Sequence, residues 1–133
     1  MPTAIDFTGI WEAAHKASVT TPEPEKAAYL LETIGPRIAA AALGMSDARP
    51  VKAWARGSDT GGPREAMVTK RLEVLYRITR AISDAYTPGV ASRFLRSANP
   101  QLDDNAPLLA LAEAKSDKDL REVLVATRAL LEG

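Results

Sequence analysis

The sequence predicts an all-α fold, a compact multi-helix domain, on three observations. Ala and Leu dominate an apolar fraction of 46%, while aromatic residues make up only 5%. Ala and Leu lose little side-chain freedom in a helix, whereas β-branched and aromatic residues lose more. Apolar residues also recur three and four positions apart in successive segments, and no segment alternates in the manner of a strand. Proline, glycine and short polar capping residues separate these segments. At 133 residues the chain suits one compact domain, or two helical lobes that share a core.

A first helix is expected over about Phe7 to Val19, with Phe7, Ile10, Trp11 and Ala14 on one face and Asp6 or Thr8 as cap. Thr21 is the expected N-cap of the second, with Pro22 in its first turn, Glu23 and Glu25 at the positive end of the dipole, and Leu30, Leu31 and Ile34 buried. Gly35-Pro36 ends it. A third helix runs from about Pro36 to Leu43 and stops at Gly44; a fourth runs from Asp47 or Ala48 to Arg56. The Gly-rich stretch Gly57 to Pro63 reads as the most flexible internal loop. The longest periodic segment, Arg64 to Tyr86, carries Val68, Leu72, Leu75, Thr79, Ile82 and Tyr86 and is expected to be the spine of the fold. Thr87 then caps a helix with Val90, Ala91, Phe94 and Leu95 facing inward. Two more helices follow a loop, at about Pro107–Ala114 and Asp117–Leu131, the last opened by Ser116 and Asp119 as a variant capping box.

Composition excludes several classes of chemistry. Without cysteine there is no disulfide, thiolate metal site or thiol nucleophile, and the single histidine, His15, cannot anchor a His-rich metal cluster. No stretch is long enough to span a bilayer, and Met1 to Asp6 lacks a signal-peptide layout, so a cytoplasmic location is expected. Net charge is zero, but its distribution is uneven. Residues 49–80 hold eight basic side chains (Arg49, Lys52, Arg56, Arg64, Lys70, Arg71, Arg77, Arg80) against three acidic ones. Residues 101–133 hold seven acidic against four basic. A basic middle beside an acidic end suits a central surface that meets phosphate and another that meets a protein.

Gly35 to Gly57 is the most informative local pattern. A helix-turn-helix needs a small residue at the close helix crossing, a Gly at the turn and apolar residues on the inner faces. Ala40 and Gly44 fit the crossing and the turn, and Leu43 and Met45 flank it. Val51 and Trp54 would pin the second helix onto the first, leaving Arg49, Lys52, Ala53 and Arg56 outward as candidate DNA contacts. The same residues also fit a pair of core helices with a solvated basic face. Val51, Trp54, Gly57 and Pro63 in series resemble the Xre-type regulator pattern, in which a Trp ends the recognition helix and a Gly follows. The turn is a residue longer than the commonest spacing, and Pro50 sits near the start of the base-contacting positions.

The segment from Arg93 to Leu102, with Phe94-Leu95 and Asn99-Pro100-Gln101-Leu102, followed by Pro107-Leu108, resembles the signature of the Xre/MbcA/ParS antitoxin family. That signature is an aromatic-Leu pair, an Asn-Pro-x-Leu loop and a Pro-Leu that opens a short helix. Phe94 stands where a Trp is common, and Asp103-Asp104 where a Gly pair often follows the loop. Independently of the family, Asn99-Pro100 forces a turn, and Phe94, Leu95 and Leu108 read as core. The resemblance implies an Xre-like helix-turn-helix portion over 1–86 and a helical toxin-binding portion over 87–133. It implies a cognate RES-domain toxin, an enzyme that consumes NAD, whose active-site cleft the antitoxin's C-terminal region covers. Candidate toxin-binding residues are then Asn99, Pro100, Arg128, Leu130, Leu131, Glu132 and Gly133; the alternative for the tail is a frayed helix end.

No catalytic constellation emerges. His15 reads as a surface histidine, Asp103-Asp104 as a solvated loop or Asx turn, and Ser116-Asp117-Lys118 as a cap. Gly57 to Gly62 lacks the Lys-Ser/Thr of a phosphate loop. The expectation is therefore a non-enzymatic type II antitoxin without cofactor or metal. Its expected partners are toxin and operator DNA, in a homodimer and a higher-order complex, with no membrane. Two alternatives stay open: a stand-alone helix-turn-helix regulator, and a toxin-binding module whose helix-turn-helix is structural only.

Overall fold

Val68, Leu72, Leu75, Thr79 and Ile82 line one buried face of a 20-residue helix, α5 (Ala66–Ala85), against which most of the chain is built. The computed structural model describes residues 5–57, 62–63 and 65–133. Among them are eight α-helices and one 3-10 turn, with no strand, so the all-α expectation holds. In chain order, α1 is Phe7–Thr20, α2 Glu23–Thr33, α3 Pro36–Ala42 and α4 Arg49–Ala55. After α5 come α6 (Pro88–Arg96), the 3-10 turn Pro100–Leu102, α7 (Pro107–Glu113) and α8 (Asp117–Glu132). The expected flexible loop falls largely on residues 58–61, and Arg64 on another position outside the described residues; so do residues 1–4 of the N-terminal reading.

Three of the expected caps form. Asp6 Oδ1 accepts from Gly9 N at 2.9 Å, Thr87 Oγ1 from Val90 N at 3.2 Å, and Ser116 Oγ from Asp119 N at 3.2 Å. Asp119 Oδ2 returns the favour one residue early, accepting from Lys115 N at 2.9 Å. Thr21 does not cap α2: the N-cap is Pro22, with no side-chain bond, and Thr21 instead closes α1 by donating its N–H to Ala17 O. Tyr86 was expected to complete the buried stripe of α5, but it is 40% exposed. It is the C-cap, where the backbone leaves helical angles and turns the ring outward onto Phe7, with centroids 5.9 Å apart.

Residues on both sides of position 86 contribute to one continuous core. Leu30, Leu43, Val51 and Trp54 enter it from the first portion, and Leu95, Leu111, Val123 and Leu131 from the second. Each wholly enclosed Leu or Ile contributes roughly 1.5–3 kcal/mol by leaving water. α1 and α6 flank α5, α4 packs chiefly on α2, and α3 packs on α7.

The polar joint of this core is Arg71. From α5 it donates Nη2–H to Ala114 O at 2.7 Å and Nη1–H to Leu43 O at 3.3 Å. Those carbonyls are the C-caps of α7 and α3, so one guanidinium meets the negative ends of two helices and satisfies acceptors that have no intrahelical donor. A charge-assisted bond of this kind contributes about 1.5–3 kcal/mol. Arg71→Ala is therefore expected to lower unfolding stability by about 2–4 kcal/mol, because both bonds go. Arg71→Lys should recover less than half, since an ammonium lacks the two-pronged geometry. Urea denaturation measures both. A change within about 0.5 kcal/mol for the Ala variant, the range of an ordinary surface substitution, would show the joint to be dispensable.

Candidate functional site

The exposed face of α4 is built from its buried one. Val51 is wholly enclosed and Trp54 nearly so, and their three-residue spacing fixes the rotation of the helix. Lys52 and Arg56 are consequently exposed, the Arg49 side chain is 89% exposed, and Ala53 is half-buried at the edge of the same stripe. Lys52 and Arg56 have no side-chain partner among the described residues. The anchor differs from expectation: Val51 and Trp54 hold α4 mainly to α2 and only secondarily to α3.

The connection between α3 and α4 is specified residue by residue. Gly44 has φ +77°, the left-handed region where a side chain is strained. Around it Met45 N donates to Ala40 O at 2.9 Å and Gly44 N to Ala41 O at 3.1 Å, the paired bonds of a Schellman helix end. The close approach at Gly44 is not to α4. A Cβ there would stand 3.1 Å from Arg71 Nη1 and 3.3 Å from Ala112 O of α7. Six residues, Leu43 to Ala48, lie between the two helices.

Asp47, just before α4, stood out in the sequence only as a possible start of that helix. Its Oδ1 accepts from Arg49 N at 2.8 Å and from Arg49 Nε at 3.0 Å, and its Oδ2 accepts from Arg49 Nη2 at 3.0 Å. The side-chain bonds from Arg49, then the backbone N–H, pull the Asp47 carboxyl down to about 2. The same pairing raises the guanidinium of Arg49.

The basic stretch 49–80 is not one surface. Lys70 pairs with Asp117 at 2.8 Å, and Arg71 is the joint described above. Arg77 lies 4.0 Å over the Trp11 ring, its pKa lowered chiefly by burial. Arg80 bonds Asp84 at 3.0 Å and Tyr76 Oη at 2.8 Å. The physical reason is the position of α5: packed on several sides, it brings its cations to partners on neighbouring elements or, for Arg80, one turn away on α5 itself. Of the described cations in residues 49–80, Lys52 and Arg56 alone have heads without a partner, while Arg49 is exposed but paired with Asp47.

At the C-terminal end, Asn99 organises its own loop. Its Oδ1 accepts from Gln101 N at 2.9 Å, its carbonyl accepts from Leu102 N and Asp104 N at 2.9 Å each, and its N–H donates to Asn105 O at 3.1 Å. Pro100 is exposed and Leu102 buried. Asp103 and Asp104 both take positive φ, +55° and +65°. Leu95 is enclosed, while Phe94 and Leu108 are half-buried against the core.

The tail is helical: α8 continues to Glu132. Leu131 is 1% exposed in the core, so it holds the helix in place and is removed from the surface residues. Leu130 is half-buried. Arg128 and Glu132 form an exposed i,i+4 pair at 2.8 Å, and Gly133 is exposed. Sequence reasoning did not bring together a hollow of about 260 Å³ lined by Asp103, Glu113, Asp119 and Glu122 with Gln101 and Asn105. Those residues come from three elements, so no local pattern marks them. Among the described residues no group of three or more His, Asp or Glu side chains is arranged to hold a metal ion.

No family model, curated protein or solved structure matches the chain.

Two consecutive aspartates in the left-handed region carry a backbone cost that glycine escapes. Set against the extra chain entropy of glycine in the unfolded state, Asp103→Gly and Asp104→Gly are each expected to stabilise the protein by about 0.5 kcal/mol. Thermal unfolding at neutral pH is the readout. A fall in midpoint for both variants would mean that the carboxylates, not the backbone, hold this loop.

Proposed function

We propose that this chain is a type II antitoxin that binds and inhibits a cognate RES-domain, NAD-degrading toxin and represses its own operon by binding DNA. The observation that carries the DNA-binding half is the α4 stripe: Arg49, Lys52 and Arg56 stand in solvent because Val51 and Trp54 are locked beneath them. A short helix with cations on the face opposite its anchor, preceded by a helix that ends on glycine, suits a helix-turn-helix that enters a major groove.

The toxin-binding half is supported by the resemblance of Phe94-Leu95, Asn99-Pro100-Gln101-Leu102 and Pro107-Leu108 to the antitoxin signature. The loop geometry adds to it. The two left-handed positions, Asp103 and Asp104, fall where the family often carries a Gly pair, the residue type that such angles favour. Arg128, Leu130, Glu132 and Gly133 remain the proposed toxin contacts at the tail, with Pro100 and Asn99 on the loop. In this reading the chain acts by binding, without catalysis or cofactor, in the cytoplasm. No helix among the described residues is long and apolar enough to cross a membrane.

A second reading, a toxin-binding module whose α3–α4 pair does not bind DNA, is favoured by the build of α4. α4 is seven residues long with Pro50 in its first turn, and it leans on α2 more than on α3.

The experiment that separates them is a titration of the protein on duplex DNA from its own upstream region at several salt concentrations. Affinity should fall steeply with salt, and the Lys52→Glu/Arg56→Glu double variant should lose the complex. Absence of binding by the wild type at low salt would leave only the second reading. Toxin pairing is tested by co-expression with a small RES-domain protein encoded beside the chain. Arg128→Glu/Glu132→Lys should weaken neutralisation while the far-UV spectrum stays unchanged. Deleting Arg128–Gly133 is the poorer test, because it also takes Leu131 out of the core. Full neutralisation by the double variant would remove the tail from the contact surface.

A further inference from the structure

Arg49 is the first residue of α4, where a cation opposes the positive end of the helix dipole. An exposed arginine there has no local reason to be ordered, yet it is held by three bonds to one carboxylate. Two of these bonds use the Nε and Nη2 edge of the guanidinium and fix its plane. A guanidinium has five N–H donors. The edge formed by Nη1 and the outer hydrogen of Nη2 is left, and it points away from Asp47. With the Arg49 side chain 89% exposed, that edge is presented to solvent on the same stripe as Lys52 and Arg56.

We infer that Asp47 is a positioning residue that fixes Arg49 to read the O6 and N7 acceptors of a guanine through its outer pair of N–H groups. The inference rests on the DNA-binding reading of α4 and adds base specificity to it. Two parallel donors match the two acceptors of guanine in the major groove, and no other base offers that pair. A phosphate offers paired acceptors too, but an anionic carboxylate 3.0 Å from the guanidinium repels it. The carboxylate oxygen instead suits the amino group of a neighbouring cytosine. The Asp47 carboxyl, held at about 2, stays ionised wherever duplex DNA is stable. Fixing the arginine before contact also removes rotamer entropy that binding would otherwise lose.

The test is selection from a pool of short duplexes with a randomised central stretch, using the full-length wild type and three variants, and sequencing of the bound fraction. The wild type should enrich one guanine per half-site. Asp47→Asn retains an oxygen to accept from Arg49 N but cannot receive both side-chain N–H groups. It should lower the preference for that guanine by about tenfold with little change at other positions, and leave the salt slope unchanged. Arg49→Ala should abolish the preference. Lys52→Ala should weaken all duplexes alike and reduce the salt slope by about one. Retention of the guanine preference by Asp47→Asn would overturn the inference while leaving DNA binding intact. So would a uniform loss with Arg49→Ala and a smaller salt slope, which marks a phosphate contact. Failure of the wild type to retain any duplex at low salt would instead overturn the DNA-binding reading, and this inference with it.

Discussion

The C-terminal ends of α3 and α7 converge on a single guanidinium, and much else in the structure follows from that. Each helix has only seven residues, too few to persist alone in water. Arg71 supplies donors to Leu43 O and Ala114 O from the central helix, so both ends are fixed relative to α5. Gly44 must then lie against Ala112 and Arg71, where no Cβ fits without displacement. Its left-handed backbone directs the chain into Met45, Ser46 and Asp47, and α4 starts from there. The presentation of Arg49, Lys52 and Arg56 thus depends on a residue that none of them touches.

The fold was legible because its signals are local. Period-3.6 stripes mark α1, α5, α6 and α8, and Asp6, Thr87 and Ser116 cap where their side chains and spacing indicate. Structure and local signal part where a residue has two local uses. Thr21 fits an N-cap, but its backbone N–H closes the preceding helix while Pro22 already holds an extended φ and ψ for entering α2. Tyr86 has the spacing of the buried stripe, but the helix ends at Ala85.

The candidate site was half legible. The inward positions Val51 and Trp54 define the outward face of α4 by geometry alone, and the structure agrees. Charge counting failed for residues 70–80 because sequence records the sign of a side chain and not its partner. Asp117, Trp11 and Tyr76 are far from, or on the same helix as, the cations they engage. Asp47 stood out only as a possible start of the fourth helix, for the opposite reason: it is two residues from Arg49, so its pairing hides in local sequence. At the C-terminus, Leu131 has an amphipathic spacing consistent with either a tail contact or a core anchor, and only packing against α8's neighbours decides for the core.

α4 is the face proposed to meet nucleic acid, while the described cations of α5 are committed to the fold. Amide chemical-shift mapping with a short duplex at low salt tests this division most directly. The result it requires is a contiguous set of shifts over Arg49–Arg56 and the preceding turn, with Lys70, Arg77 and Arg80 unmoved. Shifts centred on α5, or spread evenly over every basic residue, would contradict it.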